Sequence, residues 1–156
     1  MIFQVVININ VYVTAAILLM YYHGDLNSGR TQSCGCIRSK GNQLILKELQ
    51  KSDYIFDKEY KINYNDKIYF FDFVIFNKDN RIKCFIEFDG QQHYKYQENT
   101  TGWNNKEHFN KVQESDKQKN NYCKIHNIPL IRIPYWDYKK INLDYLKERI
   151  EECNEI

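Results

Sequence analysis

The segment spanning residues 86–94, with the sequence IEFDGQQHY, constrains this chain more than any other part of it. The apolar run that leads into it is typical of a buried strand, in which every second side chain points to the same side. Glu87 and Asp89 should therefore share one side of a strand that ends at Gly90. His93 follows in the turn, so two carboxylates and an imidazole are expected together at a strand end, where α/β folds commonly place their sites. The alternative is an edge strand with a solvated polar face.

A second strand-like segment, residues 67–77, is almost continuously apolar and aromatic but carries Asp72 in its middle. Burying a lone carboxylate is costly unless a cation or hydrogen bonds compensate it. The turn-forming sequence NKDN at 77–80 predicts an antiparallel hairpin with the strand at 81–89, which brings Asp72 beside Glu87. Adjacent carboxylates are tolerated chiefly when a divalent cation lies between them, and Mg²⁺ typically takes one or two carboxylates. The alternative is that Asp72 pairs with a buried lysine or caps a bulge.

This order of motifs resembles the PD-(D/E)XK nuclease superfamily, and more narrowly the branches similar to very-short-patch-repair endonucleases and to phage or giant-virus homing-type nucleases. The resemblance covers about residues 41–137 and implies a restriction-endonuclease-like mixed α/β sheet flanked by helices. It also implies a DNA endonuclease in which Asp72 and Glu87 bind Mg²⁺, with Mn²⁺ as an alternative. The chain departs from the superfamily where Asp89 replaces the lysine expected two residues after Glu87. Asn42 also stands where these branches often carry Glu, and no proline precedes the Asp72 strand.

Hydrolysis of a phosphodiester needs an oriented water, a proton acceptor and positive charge near the phosphate. His93 is suited to accept or relay a proton near neutrality, and Asp89 could hold a second metal or orient the water. Lys119, on a predicted helix, is the candidate for the missing positive charge. The alternatives are an ordinary intrahelical ion pair between Lys119 and Asp116 and a purely hydrogen-bonding role for His93. The predicted catalytic residues are therefore Asp72, Glu87, Asp89, His93 and Lys119, the predicted metal ligands are Asp72, Glu87 and Asp89, and the predicted nucleic-acid contacts are Gln91, Gln92, Lys95 and Lys117.

The composition fits one small enzyme domain at residues 41–156. A hydrophobic content of 43% supports a packed core. The net charge of +2 gives only weak support for nucleic-acid binding, so a basic DNA-binding surface would have to be local. The richness in Asn, Lys, Ile and Tyr suggests an AT-rich genome, compatible with a large DNA virus or a phage. The expected elements are helices at 42–51, 106–126 and 142–153 and strands at 54–63, 67–76, 82–89 and 129–134.

Residues 1–40 are predicted to form an appendage, a truncated ribbon-like β segment near 5–14 followed by a linker. The apolar stretch 1–22 lacks a positively charged start and is interrupted by polar residues, so we expect no membrane span, with an N-terminal anchor as the alternative. Cys34 and Cys36 resemble the end of a zinc-ribbon-like module. Two thiolates do not close a tetrahedral site, even with His23 as a third ligand. We therefore do not expect this chain alone to bind zinc.

The five cysteines argue against a disulfide scaffold, because the number is odd and Cys84 and Cys123 fall inside a predicted strand and helix. This usage is typical of a reducing compartment, the cytoplasm or nucleus, including that of a virus-infected host cell. Three functions are thus open: a Mg²⁺-dependent DNA endonuclease, a catalytically inactive nucleic-acid-binding module of the same fold, and a membrane-tethered protein. The acids Asp72 and Glu87 favour the first, and the absent lysine favours the second.

Overall fold

The computed structural model describes residues 39–95 and 106–153. The predicted helices and strands of this part are all present, with ends that differ from the prediction by at most two residues. The helices are α1 (Lys40–Leu49), α2 (Lys106–Ile125) and α3 (Leu143–Glu152), the strands are β1 (Ile55–Tyr64), β2 (Lys67–Phe76), β3 (Ile82–Asp89) and β4 (Leu130–Pro134), and short 3-10 helices cover Gln91–His93 and Tyr135–Lys140.

The four strands form one open mixed sheet in the order β1-β2-β3-β4. The first three strands are antiparallel, and β4 lies parallel to β3 because α2 carries the chain back across the sheet. The predicted β2–β3 hairpin is confirmed, with Phe73 opposite Ile86. Its turn is closed by a 2.8 Å hydrogen bond from the Asn77 N–H to the Arg81 carbonyl. Asn80 supplies the left-handed residue of this turn, with φ 61°, a conformation for which Asn is enriched. The mixed α/β class expected from the sequence is thus confirmed.

Helices cover both faces of the sheet, so the domain has two hydrophobic cores. Adjacent residues of a strand point to opposite faces, and Ile86 and Phe85 accordingly belong to different cores. Ile86 packs with the apolar side chains of α1 and α3. Phe85 stacks on Phe71 with ring centroids 3.9 Å apart, in the core that also contains Cys123 of α2. The sheet is therefore held on both sides, which fixes the strand ends that carry the acids.

The described cysteines behave as small apolar residues. Cys84 and Cys123 are buried in the two cores, and both thiols are free. Burial raises the pKa of the Cys123 thiol to about 12, with a further contribution from the charge of Glu87. These thiols therefore stay protonated and do not act as nucleophiles.

The predicted appendage lies outside the described residues, together with the β segment near 5–14, His23, Cys34 and Cys36. No helix within residues 39–95 and 106–153 is long and apolar enough to cross a membrane. The apolar stretch 1–22, on which the anchor alternative depended, also lies outside the described part.

Gly41 allows α1 to approach β3 closely. A Cβ atom at this position would overlap the ring of Phe88, which follows Glu87 in β3. We expect Gly41→Ala to lower the free energy of unfolding by about 1–3 kcal/mol, because overpacking forces side chains or backbone to shift. Urea denaturation measures this effect.

Gly90→Ala is the matched control. Its Cβ would meet only the end of the flexible Gln92 side chain, and the φ of −65° at Gly90 suits any residue. We expect this substitution to cost less than about 1 kcal/mol. Equal stability of the two variants would contradict the close packing of α1 on Phe88.

Candidate metal and catalytic site

A cleft of about 530 Å³ opens where β2 and β3 separate. The ladder between these strands includes the Phe73–Ile86 pair, and the next positions are Asp72 and Glu87. There the Asp72 carboxylate accepts a 2.8 Å hydrogen bond from the backbone N–H of Phe88. The hairpin register predicted that Asp72 and Glu87 lie side by side, and both line the cleft. The lining includes Ser39, Asn42, Asp72, Glu87, Gln92, His93, Val112, Asp116 and Lys119.

Asp72 and Glu87 are buried carboxylates, 6% and 3% exposed. Burial raises the pKa of Asp72, and the Phe88 N–H, the charge of Lys119 and a hydrogen bond from Asn42 only partly offset it. Burial likewise raises the pKa of Glu87 to about 7. The charge of Lys119 opposes this shift, and the charge of Asp72 adds to it. Burial therefore disfavours the ionised form of both acids, and a divalent cation between them would offset that cost.

Asn42 reaches Asp72 because α1 begins at the edge of the cleft. The hydroxyl of Ser39 caps the helix by accepting a 3.1 Å hydrogen bond from the Asn42 N–H. This cap fixes the first turn of α1, from which the buried Asn42 side chain hydrogen-bonds Asp72. The position at which Asn replaces the expected Glu is thus in direct contact with a predicted ligand.

Lys119 extends from α2 into the cleft. Its Nζ lies 2.8 Å from Glu87 Oε1, and its side chain is 12% exposed. The same ammonium lies 5.4 Å from the centroid of the Phe71 ring. Lys119 therefore pairs with Glu87 across the fold, whereas the intrahelical alternative would have paired it with Asp116.

A second cluster, the Arg132 network, consists of Asp89, His93, Asp116 and Arg132. The guanidinium of Arg132 lies 2.7 Å from Asp89 Oδ1 and 3.0 Å from Asp116 Oδ1. The other oxygen of Asp116 lies 2.8 Å from His93 Nδ1. Arg132 thus links Asp89 at the end of β3 to Asp116 on α2, and Asp116 also contacts His93.

The carboxylates of the Arg132 network shift the pKa of His93. Burial alone would lower the pKa of His93, but the hydrogen bond and charge of Asp116 and the charge of Asp89 together raise it. Burial opposes ionisation of Asp116 as well, yet His93 and Arg132 hold its pKa below the usual value. Because Nδ1 is bound to Asp116, proton exchange with a substrate would use Nε2 of His93.

The predicted metal ligands do not form one group. Asp89 binds Arg132 and accepts a 3.1 Å hydrogen bond from the Tyr94 hydroxyl, while Asp72 and Glu87 share the cleft. Within residues 39–95 and 106–153, no three or more His, Cys, Asp or Glu side chains are grouped as metal ligands. Asp72 and Glu87 are the two predicted ligands that line the cleft.

The predicted nucleic-acid contacts lie on the 3-10 helix after β3, just beyond that helix and on α2. Gln91 and Gln92 are exposed on the 3-10 helix that follows β3, and Gln92 also lines the cleft. Lys95 and Lys117 are exposed.

Arg132 was missed by sequence reasoning. It is the charged residue inside the apolar strand β4, directly beside Glu87 in the parallel pairing of β3 with β4. A lone charge within an apolar strand was the signal that singled out Asp72, and the same signal was available for Arg132. Gln113 was also missed; its amide donates a 2.6 Å hydrogen bond to the His93 carbonyl.

Fold and site together define a small mixed α/β protein with a buried acidic cleft at the diverging ends of two neighbouring strands. The chain belongs to the family described as a protein of unknown function (DUF2726), whose model matches residues 55–152. The match runs from β1 to the end of α3 and so includes both acids and the Arg132 network. Searches of curated proteins and of solved structures found no match.

Proposed function

We propose that this protein is a divalent-metal-dependent DNA endonuclease with a restriction-endonuclease-like, PD-(D/E)XK fold. The observation that carries the proposal is the meeting of Asp72 and Glu87 in one cleft, with the Lys119 ammonium 2.8 Å from Glu87. Two carboxylates and an adjacent cationic side chain are what metal-assisted phosphodiester hydrolysis requires. The resemblance of the hairpin motifs to that superfamily supports the same assignment.

The donor set fits Mg²⁺ or Mn²⁺. Both metals prefer oxygen ligands, and Mg²⁺ commonly uses one or two protein carboxylates and fills its remaining positions with water and phosphate oxygens. The pKa values of Asp72 and Glu87 are raised because burial outweighs the opposing charge of Lys119, so a divalent cation would add compensation that the side chains do not supply in full. When bound, the cation would polarise the phosphate and lower the pKa of a water molecule.

The other side chains of the site have separate roles in this proposal. Lys119 places positive charge beside Glu87, where the negative charge of the reacting phosphate is stabilised. His93 accepts the proton of the attacking water through Nε2, held in place by Asp116. Asp89 positions Arg132, and the metal ligands are Asp72 and Glu87. Contacts to DNA are proposed for Gln91, Gln92, Lys95 and Lys117.

Nicking of supercoiled plasmid DNA by the purified full-length protein tests the proposal. We expect conversion to open circles with Mg²⁺ or Mn²⁺ and none with EDTA. Asp72→Ala and Glu87→Ala should abolish this conversion, because each removes one of the two metal ligands. Cleavage that survives both substitutions would rule out the site.

Glu48→Gln is the matched control for these variants. Glu48 is a buried carboxylate of α1 that pairs with Lys51, just after the end of the helix, and does not line the cleft. Its substitution should leave nicking within about twofold of wild type.

The second candidate is a catalytically inactive nucleic-acid-binding module. The Lys119–Glu87 ion pair favours it, because this contact compensates one carboxylate without a metal. In that case the wild-type protein would shift DNA in a gel and would not nick it with Mg²⁺ or Mn²⁺.

A further inference from the structure

A second cavity, of about 550 Å³, lies at the hairpin-turn end of β2 and β3 and shares no lining residue with the acidic cleft. We call it the lysine cavity. Its lining includes four lysines, Lys51, Lys78, Lys83 and Lys147. We propose that the lysine cavity is a binding site for a nucleotide phosphate, either of a free nucleotide or of the 5′ end of a strand.

The charge of the cavity favours an anion. Four lysines line it, against a single acidic residue, Asp53. Glu48 neutralises Lys51 at 2.6 Å. In the described part of the chain, Lys78, Lys83 and Lys147 take no part in an ion pair within 4.0 Å. Several ammonium groups around one cavity repel each other, and a phosphate between them relieves that repulsion.

Lys83 distinguishes this cavity from an ordinary patch of solvated lysines. It comes from β3, at the point where the register of the β2–β3 pairing shifts, and is half-buried. Partial burial of an ammonium is unfavourable unless a partner compensates it. Its Nζ lies 5.9 Å from the centroid of the Tyr54 ring, which gives partial compensation through a cation–π contact. An anion in the cavity would supply the rest.

The uncharged wall of the cavity indicates which phosphate compound fits. Tyr54, Ile55 and Phe76 provide aromatic and apolar surface beside the lysines. Inorganic phosphate needs only the cationic part of such a site, whereas a nucleotide also offers a flat base that packs on an aromatic ring. The volume of about 550 Å³ lies in the usual range for small-molecule sites.

Isothermal titration of the full-length protein with ADP tests the proposal, in EDTA so that the acidic cleft holds no metal. We expect ADP to bind at least about tenfold more tightly than adenosine or inorganic phosphate. Lys83→Met should weaken ADP binding at least about tenfold, because hydrogen bonds to charged groups are strong. Lys83→Arg keeps the charge and should stay within about threefold of wild type.

Lys124→Met, at an exposed lysine of α2, is the control and should not change ADP binding. Because Lys83 is half-buried, the exposed Lys147 provides a second variant; Lys147→Met should also weaken binding while far-UV circular dichroism stays that of wild type.

A pair of oligonucleotides with and without a 5′-phosphate separates the two sources of the ligand. Preference for the phosphorylated strand, lost in Lys83→Met, would identify a strand end; binding of ADP alone would identify a free nucleotide. The proposal is overturned if neither ADP nor the phosphorylated strand binds at about 5 mM, or if Lys83→Met binds both as well as wild type. The test does not depend on cleavage activity at the acidic cleft.

Discussion

The Glu87→Gln protein is expected to lose metal-dependent DNA cleavage by at least about 100-fold and to lack the fall in stability that the wild type shows between pH 5 and pH 8. The loss of activity follows from the removal of a carboxylate that the proposed function assigns to the metal. The fall in stability of the wild type follows from burial, which raises the pKa of Glu87 from 4.5 to about 7. An ionised Glu87 in the folded protein is therefore unfavourable, and glutamine is neutral.

The pH dependence has a definite sign. The unfolded chain releases the Glu87 proton near pH 4.5, while the folded protein keeps it until about pH 7. The free energy of unfolding of the wild type should therefore fall as the pH rises through this window, by up to about 3 kcal/mol from this group. Glu87→Gln lacks that contribution, and we expect the difference between its free energies of unfolding at pH 5 and pH 8 to be about 1–3 kcal/mol smaller than that of the wild type.

Urea denaturation at pH 5 and pH 8, with and without Mg²⁺, measures these effects. Mg²⁺ should stabilise the wild type at pH 8 and leave Glu87→Gln unchanged, because a ligand stabilises only the state that binds it. Glu48→Gln is again the control, with wild-type cleavage. A Glu87→Gln protein that is less stable at pH 8 and still cleaves DNA would show that Glu87 serves only to hold Lys119.

Arg132→Met should destabilise the folded protein by about 3–5 kcal/mol. The Arg132 side chain is 22% exposed and contacts Asp89 and Asp116, which are buried still further. Burial lowers the pKa of Arg132, yet the charges of the two carboxylates raise it overall. Removing the guanidinium leaves two buried carboxylates without their shared cationic partner. Such uncompensated buried charges destabilise the folded state strongly.

Arg81→Met is the control for this prediction. Arg81 also pairs with an aspartate, Asp79, at 2.6 Å, but its side chain is 81% exposed. Water screens such a pair, and its loss should change the free energy of unfolding by less than about 1 kcal/mol. The double variant Asp116→Asn/Arg132→Met should recover part of the stability lost in Arg132→Met. Equal effects of the two arginine substitutions would contradict a structural role for the Arg132 network.

The secondary structure of residues 39–95 and 106–153 followed from local patterns, which explains why it could be predicted. The apolar segments of β2 and β3 and the turn between them are encoded by neighbouring residues, so the hairpin and its register needed no long-range information. The juxtaposition of Asp72 and Glu87 is a direct consequence of that register.

The partners of the polar side chains could not be derived in the same way. The sequence placed Asp116 and Lys119 one helical turn apart, which permits an ion pair between them. In the structure Lys119 instead contacts Glu87 and Asp116 contacts His93 and Arg132. Which contact forms depends on how α2 packs across β3 and β4, because an acid on another element can lie closer than one on the same helix.

The sequence by itself determined a mixed sheet with two acids side by side on one hairpin, since strand alternation and turn chemistry act over a few residues. Only the tertiary structure decided that Asp72 and Glu87 face one cleft while Asp89 joins Arg132. The physical reason is that burial makes each carboxylate depend on a nearby cation, and the cations come from α2 and β4, which are distant in sequence.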